Sequence, residues 1–245
     1  KKVFLYSYIH KMLCNIKCLI MKSKIVFSII LARKNSKGIK NKNLKIVNGK
    51  PLLYWSIYNS VNSRLINKTF VSSDSKRILN YAKKNGANTI LRPGKFATSK
   101  TSSEESLLHS IEYLRKYSHK FDTVLFIQPT SPLRKKDDFD NAIKKFNSRK
   151  LDSLFSANIS NDTNFWEFKN NKLKANYNYK KRKMRQDLSK KYLENGSFYI
   201  FDKKKFLRNK CRLFGKIGFH LMNKLNSFQI DEYEDIPLIN SIFRI

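Results

Sequence analysis

Acidic residues and cysteines are both scarce in this chain of 245 residues. Only 18 residues are Asp or Glu, against 51 that are Lys or Arg, so the formal net charge at pH 7 is +33. The three cysteines are odd in number and the chain is not small, which argues against a disulfide framework. Cys14 and Cys18 would supply half of a metal site at best, because no Cys/His pair at metal-site spacing completes them.

Glycine and long apolar runs are scarce as well. The chain has seven glycines, and the segment around Gly38 matches neither the Walker pattern G-x-x-x-x-G-K-[ST] nor the dinucleotide pattern G-x-G-x-x-G. A phosphate site there would depend on side-chain charge more than on a bare backbone loop. No run of about 18 apolar residues is present, so the sequence predicts no membrane-spanning helix.

The excess of positive charge is typical of proteins that bind nucleic acid or anionic membranes. In this chain, however, 39 lysines, 12 arginines and 25 asparagines are spread along the whole length. That distribution is also what an AT-rich genome would encode. We therefore expect compositional drift to explain most of the charge, and we expect no dedicated nucleic-acid partner.

The composition otherwise indicates a folded protein, since 41% of the residues are hydrophobic. Residues 1–20 are expected to be an appendage outside the fold. Lys11 and Lys17 interrupt their apolar stretch and no small-residue cleavage site follows, so we do not predict a signal peptide and expect a cytoplasmic protein. Residues 21–245 are expected to form one domain, with a polar, irregular insertion at about 160–192.

Apolar, β-rich runs alternate with helical patterns along this domain. The predicted strands are 25–32, 69–74, 123–128, 197–202 and 227–231, and the rhythm of the pattern changes after 151–159. The predicted helices are 51–63, 75–87, 102–117, 137–149 and 232–243. This alternation predicts an α/β fold of Rossmann-like type, a mostly parallel sheet with helices on both faces. Because ligands bind at the carboxyl ends of such strands, the polar segments 31–43, 72–75 and 128–134 should converge on one crevice.

The segment LARKNSKGIKNKN (31–43) follows the first predicted strand and is strongly basic. Backbone N–H groups at a turn, together with Arg33, Lys37 and Lys42, would attract an anion. Such a loop suits a nucleoside triphosphate, whose transfer builds charge on the leaving pyrophosphate. On charge alone, a solvated basic turn remains the alternative interpretation in a chain this basic.

Six segments in order carry a resemblance to a known family. LARKNSKGIKNKNL (31–44) resembles the signature A-R-x-x-S-K-G-x-x-x-K-N-L of the acylneuraminate cytidylyltransferases, which activate sialic, legionaminic and pseudaminic acids. The other segments are GKPLL (49–53), VSSDS (71–75), LRPGKFATSKTSS (91–103), FIQPTSPLR (126–134) and RQDLSKKYLENGSFYIF (185–201). The resemblance covers about residues 21–240.

This resemblance implies a fold of the nucleotide-diphospho-sugar transferase type and a reaction that needs Mg²⁺. CMP passes from CTP to the anomeric oxygen of a nine-carbon 2-keto acid sugar, a nonulosonic acid, and pyrophosphate is released. It also implies a homodimer, in which the insertion packs on the second subunit and helps to complete its sugar site.

The resemblance assigns roles to individual residues of this chain. The implied catalytic residues are Arg33, Lys37 and Lys42. The implied nucleotide-binding residues are Ala32, Ser36, Asn43, Arg92, Thr101 and Ser103. The implied sugar-binding residues are Gln128, Arg185 and Tyr199, and the implied metal ligand is Asp231. Without the family, Gln128 could cap a strand end, Arg185 could lie on a solvated face, and Tyr199 could belong to the core.

Two departures from the family pattern keep alternatives open. The segment QID (229–231) has Gln229 where the family often has the first of two carboxylates, and Ser99 and Lys100 stand where an acidic residue is expected. The related 3-deoxy-manno-octulosonate cytidylyltransferases share the fold, although A-R-x-x-S-K-G and R-Q-x-L favour nine-carbon sugars. The absence of a carboxylate at Gln229 and the net charge of +33 also suit a catalytically lapsed, basic polyanion binder.

Overall fold

The structure is a computed structural model that describes residues 24–36, 38–160 and 164–244. The predicted appendage at residues 1–20 and the loop residue Lys37 lie outside the described residues. For Arg185 the backbone is described and the side chain is not.

Within the described residues, strands and helices alternate. The strands are β1 (Val26–Leu31), β2 (Ile46–Val47), β3 (Lys50–Pro51), β4 (Lys68–Ser73), β5 (Asn88–Leu91), β6 (Thr123–Ile127), β7 (Ser153–Ser160), β8 (Trp166–Lys169), β9 (Lys172–Ala175), β10 (Lys191–Asp202) and β11 (Ile217–Leu221). The α-helices are α1 (Leu52–Val61), α2 (Lys76–Lys84), α3 (Ser103–Lys116), α4 (Asp138–Ser148), α5 (Lys203–Asn209) and α6 (Asp235–Ile242). None of these helices is long and apolar enough to span a bilayer.

The main sheet has the strand order β11-β7-β10-β6-β1-β4-β5. Strand β1 pairs in parallel with β4 and β6, β4 pairs in parallel with β5, and β11 pairs in parallel with β7. Strand β10 is antiparallel to both of its neighbours, β6 and β7. The prediction of a mostly parallel sheet is therefore confirmed.

Helices cover both faces of the sheet. The side chains of each strand alternate between the two faces and join two apolar clusters. On β1, Val26 and Ile30 join one cluster, which also contains residues of α1, α2 and α4. Phe27 and Ile29 join the other cluster, with residues of α3 and α5. The four side chains are almost completely buried, so β1 is an interior strand that contributes to the core on both faces of the sheet.

Helix α3 begins at the capping pattern that the sequence predicted. The Ser102 side chain accepts a hydrogen bond from the Glu105 backbone N–H at 3.1 Å, and the Glu105 carboxylate accepts one from the Ser102 backbone N–H at 2.6 Å. This reciprocal cap satisfies two backbone donors that would otherwise lack partners at the start of the helix. It fixes the first turn of α3 at the edge of the site described below.

The prediction of a last strand at 227–231 is wrong. Residues Leu225–Ser227 form a 3-10 turn, and the chain then runs outside the sheet. The backbone N–H of Ile230 donates to Thr130 O at 2.8 Å, and the Ile230 side chain packs into a third small cluster with Ile39 and Leu133. The apolar residues of this segment therefore cover the basic loop, and the sheet ends instead with β11.

The segment at 160–192 was expected to be irregular, but part of it is regular. Strands β8 and β9 form an antiparallel hairpin, and β10 begins at Lys191, six residues before the predicted strand. The exposed fractions of Trp166, Phe168 and Leu173 are 47%, 69% and 64%. The hairpin thus buries little apolar surface within its own chain.

Candidate active site

A pocket of about 500 Å³ lies at the carboxyl ends of β1, β5 and β6. Ligands of open α/β sheets bind at this edge. The lining residues are Leu31, Arg33, Ser36, Gly38, Lys42, Asn43, Arg92, Ser99, Thr101, Ser102, Ser103, Ser106, Phe126, Gln128, Pro129, Thr130 and Asp231. Polar and cationic side chains dominate this lining, as a phosphate-bearing ligand would require.

Most of the residues assigned from the sequence meet at this pocket. Those that line it are Arg33, Ser36, Lys42, Asn43, Arg92, Thr101, Ser103, Gln128 and Asp231. Two others are buried elsewhere. Ala32 is completely buried and its N–H donates to Ser72 O at 3.0 Å, and Tyr199 is 3% exposed. The side chains of Lys37 and Arg185 fall outside the description.

The basic loop is held in shape by its own polar contacts. Asn41 adopts a left-handed conformation with φ of 55°, just before a 3-10 turn at Lys42–Leu44. The Asn43 side chain donates to Arg33 O at 2.8 Å, which joins the two ends of the loop. Gly38 is required by close approach, since a Cβ there would lie 2.6 Å from Asp231 O. These contacts define the backbone shape of the described part of the loop.

Among the loop cations that the structure describes, Lys42 is the most deeply buried, with an exposed fraction of 9%. Its Nζ donates to Ile230 O at 2.8 Å and to Asp231 Oδ1 at 3.0 Å. The Asp231 side chain is 68% exposed, so its charge is largely screened by solvent. The predicted catalytic lysine and the predicted metal ligand thus contact each other at one wall of the pocket.

Arg92 follows β5 and is 4% exposed. Its Nε and Nη2 donate to no described residue, although its backbone N–H donates to Ser73 O at 2.8 Å. Burial lowers the pKa of the Arg92 guanidinium, Arg33 lowers it further, and Asp74 raises it. An unsatisfied buried cation is costly, so these two donors favour an acceptor from solvent or a ligand in this pocket.

The wall opposite the basic loop is the beginning of α3. Ser102, Ser103 and Ser106 line the pocket there, and Thr101 precedes them. A helix N-terminus supplies free N–H groups and a partial positive charge, both of which favour an oxygen-rich ligand. Arg33 reaches across toward this wall, since its Nη1 donates to Thr98 O at 3.1 Å.

Arg134 does not line the pocket but holds the turn behind Gln128, a role that the sequence analysis did not assign. It is 6% exposed, and it donates from Nε to Ser197 Oγ at 2.7 Å and from Nη2 to Ser197 O and Gln128 O. Burial lowers the pKa of Arg134 to about 9, against the raising effect of Asp138. Arg134 therefore fixes the turn that carries Gln128 onto β10. Its place at the end of the FIQPTSPLR segment was the available signal.

Tyr199 lies beside the pocket wall and does not line it. Its ring stacks on Phe126 with 5.7 Å between the ring centres, and its hydroxyl donates to Glu194. Burial raises the pKa of the Tyr199 phenol, and the hydrogen bond to Glu194 raises it further. The predicted sugar contact of Tyr199 remains a prediction.

The chain offers Asp231 as a ligand for Mg²⁺ but little else nearby. The Gln229 amide donates to Asn195 O and accepts from Thr130 Oγ1 at 3.2 Å. The Asp235 carboxylate accepts from the backbone N–H groups of Asp231 and Glu232, at 2.7 and 2.8 Å. Within the described residues, no cluster of three or more His, Cys, Asp or Glu side chains could hold a metal. One carboxylate fits a Mg²⁺ that takes its other ligands from phosphates and water.

The fold and this pocket agree with the comparison to known families. A family model described as cytidylyltransferase matches residues 27–241. The chain therefore belongs to the cytidylyltransferase family, and the family resemblance predicted from the motifs is confirmed.

Named relatives sharpen the comparison. The chain is 30% identical over 226 residues to the N-acylneuraminate cytidylyltransferase of Escherichia coli O18:K1:H7, covering 91% of this chain and 52% of that protein. It is 28% identical to the post-translational flagellin modification protein B of Campylobacter coli, covering 89% of this chain and 95% of that protein. It is 31% identical to N-acylneuraminate cytidylyltransferase A of Danio rerio, covering 89% and 50%. The chain thus spans about half the length of the two acylneuraminate enzymes.

Solved structures show the same fold at low identity. One is a CMP:2-keto-3-deoxy-manno-octonic acid synthetase complexed with CTP, at 12% identity and a TM-score of 0.65, covering 90% of this chain and 98% of that one. Another is the 4-diphosphocytidyl-2C-methyl-D-erythritol synthase of Anaerococcus prevotii, at 16% identity and a TM-score of 0.65, covering 92% and 98%. At these identities the likeness concerns the fold alone.

Proposed function

We propose that this protein transfers CMP from CTP to the anomeric oxygen of a nonulosonic acid and releases pyrophosphate. The observation that carries the proposal is the buried guanidinium of Arg92, whose Nε and Nη2 have no partner among the described residues in a pocket already lined by Arg33 and Lys42. That arrangement suits a ligand with several negative oxygens. Family membership and the names of the relatives support the choice of a cytidine nucleotide.

The triphosphate would lie against the basic loop. Arg33 and Lys42 line the pocket there, and the resemblance adds Lys37. These cations would stabilise the charge that passes to pyrophosphate as the bond to the α-phosphorus breaks. Because Ile230 O and Asp231 hold the Lys42 ammonium in place, that charge is positioned before the reaction begins.

The cytidine would lie toward α3. Arg92 would donate from Nε and Nη2 to carbonyl or phosphate oxygens of the nucleotide, which relieves the cost of its burial. Thr101 and Ser103 at the start of α3 would bind the base and the ribose through hydroxyl and backbone donors. Serine hydroxyls and free N–H groups suit these neutral, oxygen-bearing groups.

The acceptor sugar would enter at the end of the pocket marked by Gln128. The resemblance places Arg185 at the sugar carboxylate, where a planar guanidinium can bind both oxygens. Two relatives named as acylneuraminate enzymes support a nine-carbon acid. We also propose that the protein is a cytoplasmic homodimer and that the insertion completes the acceptor site.

Mg²⁺ would be held by Asp231 together with the nucleotide phosphates and water, and it would supply charge neutralisation at the triphosphate. The ion pair between Asp231 and Lys42 uses one carboxylate oxygen, so this residue can serve both partners. A single carboxylate implies that the cation arrives mainly with the nucleotide.

Pyrophosphate release tests the proposal most simply. The purified protein should release pyrophosphate from CTP only when a neuraminic, legionaminic or pseudaminic acid is present, and UTP should be a poor substitute. Turnover only with 3-deoxy-manno-octulosonic acid would replace the nine-carbon acceptor with the eight-carbon one. No turnover with any acceptor, together with tight binding to polyanions, would favour the lapsed relative.

A further inference from the structure

Arg212 and Glu104 form an ion pair beside the pocket that the assigned site residues do not explain. Arg212 Nε donates to Glu104 Oε1 at 2.6 Å, and Nη2 donates to Oε2 at 2.8 Å. The exposed fractions of the two side chains are 19% and 25%. Burial alone would raise the pKa of Glu104, but the hydrogen bonds and charge of Arg212 lower it. The pair is therefore ionised at neutral pH, with the two-point geometry that gives the strongest contacts between arginine and carboxylate.

Arg212 also contacts the aromatic wall of the site. Its Cζ lies 5.3 Å from the ring centre of Phe126 and 4.8 Å from that of Tyr199. Phe126 lines the pocket, and Tyr199 stacks on it. A guanidinium over aromatic rings gains cation–π attraction, which adds to the ion pair in fixing the arginine. Arg212 itself is not a lining residue, so it can act only through its neighbours.

Glu104 stands in the first turn of α3, next to Ser102 and Ser103, which line the pocket. The reciprocal cap at Ser102 fixes the shape of this turn but not its distance from the sheet. Leu107 packs in the cluster that contains Phe126 and Tyr199 and limits that distance one turn further along the helix. The pair with Arg212 adds a polar constraint at the first turn itself. It connects the turn at residue 104 to the wall formed by Phe126 of β6 and Tyr199 of β10.

We propose that Arg212 and Glu104 are positioning residues that hold the nucleotide-binding turn of α3 at a fixed distance from the Phe126–Tyr199 wall. The proposal rests on the proposed function, because it takes the turn to bind CTP. Loss of the pair should loosen the nucleotide site and misalign the reacting atoms. A misplacement of about 1 Å can lower a rate by about a hundredfold, so the loss should be visible in both affinity and turnover.

The experiment compares Glu104→Gln, Arg212→Gln and the double variant with the wild-type protein. Calorimetry gives the CTP dissociation constant without an acceptor, steady-state assays give kcat, and thermal unfolding gives Tm. Because the core packing of α3 should keep the displacement below about 1 Å, each single variant should weaken CTP binding and lower kcat by about tenfold, less than the roughly hundredfold loss for a full misplacement of about 1 Å. The double variant should be no worse than either single, since the two side chains act as one unit.

Two further variants separate positioning from charge and from general stability. Arg212→Lys keeps the cation but lacks the planar fork, so it should also weaken CTP binding. It replaces Arg212→Gln if that protein does not fold. Lys205→Gln removes another ion pair, with Asp152, whose residues do not line the pocket. This control should leave the CTP affinity unchanged.

The proposal is overturned if the Arg212 and Glu104 variants lower Tm while the folded protein binds CTP and turns over like the wild type. Additive effects in the double variant would overturn it too, because the residues would then act separately. Wild-type protein that binds CTP but uses no acceptor would refute the proposed function alone, and the CTP affinities would then decide this proposal. Wild-type protein that binds no CTP would overturn both.

Discussion

The nucleotide end of the pocket and the inserted hairpin differ in how many contacts their side chains make within the same chain. Lys42 is buried and has two acceptors, and Asn43 closes its loop onto Arg33. On the hairpin, Phe168 and Leu173 face each other across the two strands and are 69% and 64% exposed. At the nucleotide end Lys42 and Asn43 have protein partners, while two buried donors of Arg92 have none among the described residues. The hairpin instead presents an apolar surface that nothing in the described chain covers.

This difference indicates that the two regions depend on a second subunit to different degrees. All lining residues of the pocket at β1, β5, β6 and α3 come from one chain, so under the proposed function this pocket would bind a nucleotide without a second subunit. An exposed apolar surface is typical of a protein interface. We therefore expect nucleotide binding to be a property of each subunit, and acceptor binding to depend on a second copy of the chain.

The largest expected effect on kcat comes from a substitution at the nucleotide end of the pocket. Lys42→Ala should lower kcat by about 10²–10³, as the loss of one fixed charge at a transition state typically does. Single-turnover and steady-state assays measure it. Lys45→Ala is the matched control, because Lys45 belongs to the same basic stretch but does not line the pocket. Near-normal turnover in Lys42→Ala would remove this lysine from the catalytic set.

The hairpin offers the next largest effect. Phe168→Glu should convert a dimer to a monomer and raise the acceptor KM about 30-fold, the equivalent of a hot-spot loss of about 2 kcal/mol. The CTP dissociation constant should not change. On the same samples, sedimentation velocity measures the oligomeric state, steady-state assays measure the acceptor KM, and calorimetry measures the CTP dissociation constant.

Tyr117→Glu is the control for the hairpin variant, since Tyr117 is exposed at the far end of α3 from the pocket. A wild-type protein that is fully active as a monomer at micromolar concentration would remove the dimer from this account.

Arg185→Lys should raise the acceptor KM about tenfold and leave the KM for CTP nearly unchanged, because lysine loses one charged hydrogen bond worth about 1.5 kcal/mol. Arg182→Lys is the matched control from the same basic run, where Arg182 lies over the ring of Tyr177. Equal effects on both substrates would show that Arg185 does not bind the acceptor carboxylate.

The smallest expected effect is on the Mg²⁺ concentration that the reaction needs. Gln229→Asp should lower the half-saturating Mg²⁺ concentration about threefold, as expected for one added, partly exposed charge pair. Gln229→Asn is the control, because it shortens the side chain equally and keeps it neutral. If both variants shift the Mg²⁺ dependence alike, the change reflects the lost contact with Asn195 and not a new ligand.

The sequence predicted strands β1, β4, β6 and β10 because these runs are clearly apolar, but it missed β5 and β11. The β1 run shows this, since Val26, Phe27, Ile29 and Ile30 are buried on alternating faces. Periodicity failed where apolar residues serve another purpose. Ile230 packs over the basic loop and not in a strand, whereas β11 has a half-exposed pattern that resembles a loop.

The motifs selected residues that mostly line one pocket, which composition could not do, because short signatures specify residue types at fixed spacing. They did not reveal Arg134 or Arg212. Both act through contacts between distant segments, from Arg134 to Ser197 and from Arg212 to Glu104. Such pairs depend on how the strands are ordered in the sheet, which a single sequence does not state.

The most direct test of the central claim follows the oxygen atom that forms the new bond. The acceptor acid is labelled with ¹⁸O at its anomeric hydroxyl, and the products with CTP are analysed by ³¹P NMR and mass spectrometry. Attack of that oxygen on the α-phosphorus predicts one CMP-sugar that retains the label in its bridging oxygen, with unlabelled pyrophosphate in equal amount. Unlabelled CMP with no CMP-sugar, or a label found in pyrophosphate, would contradict the account.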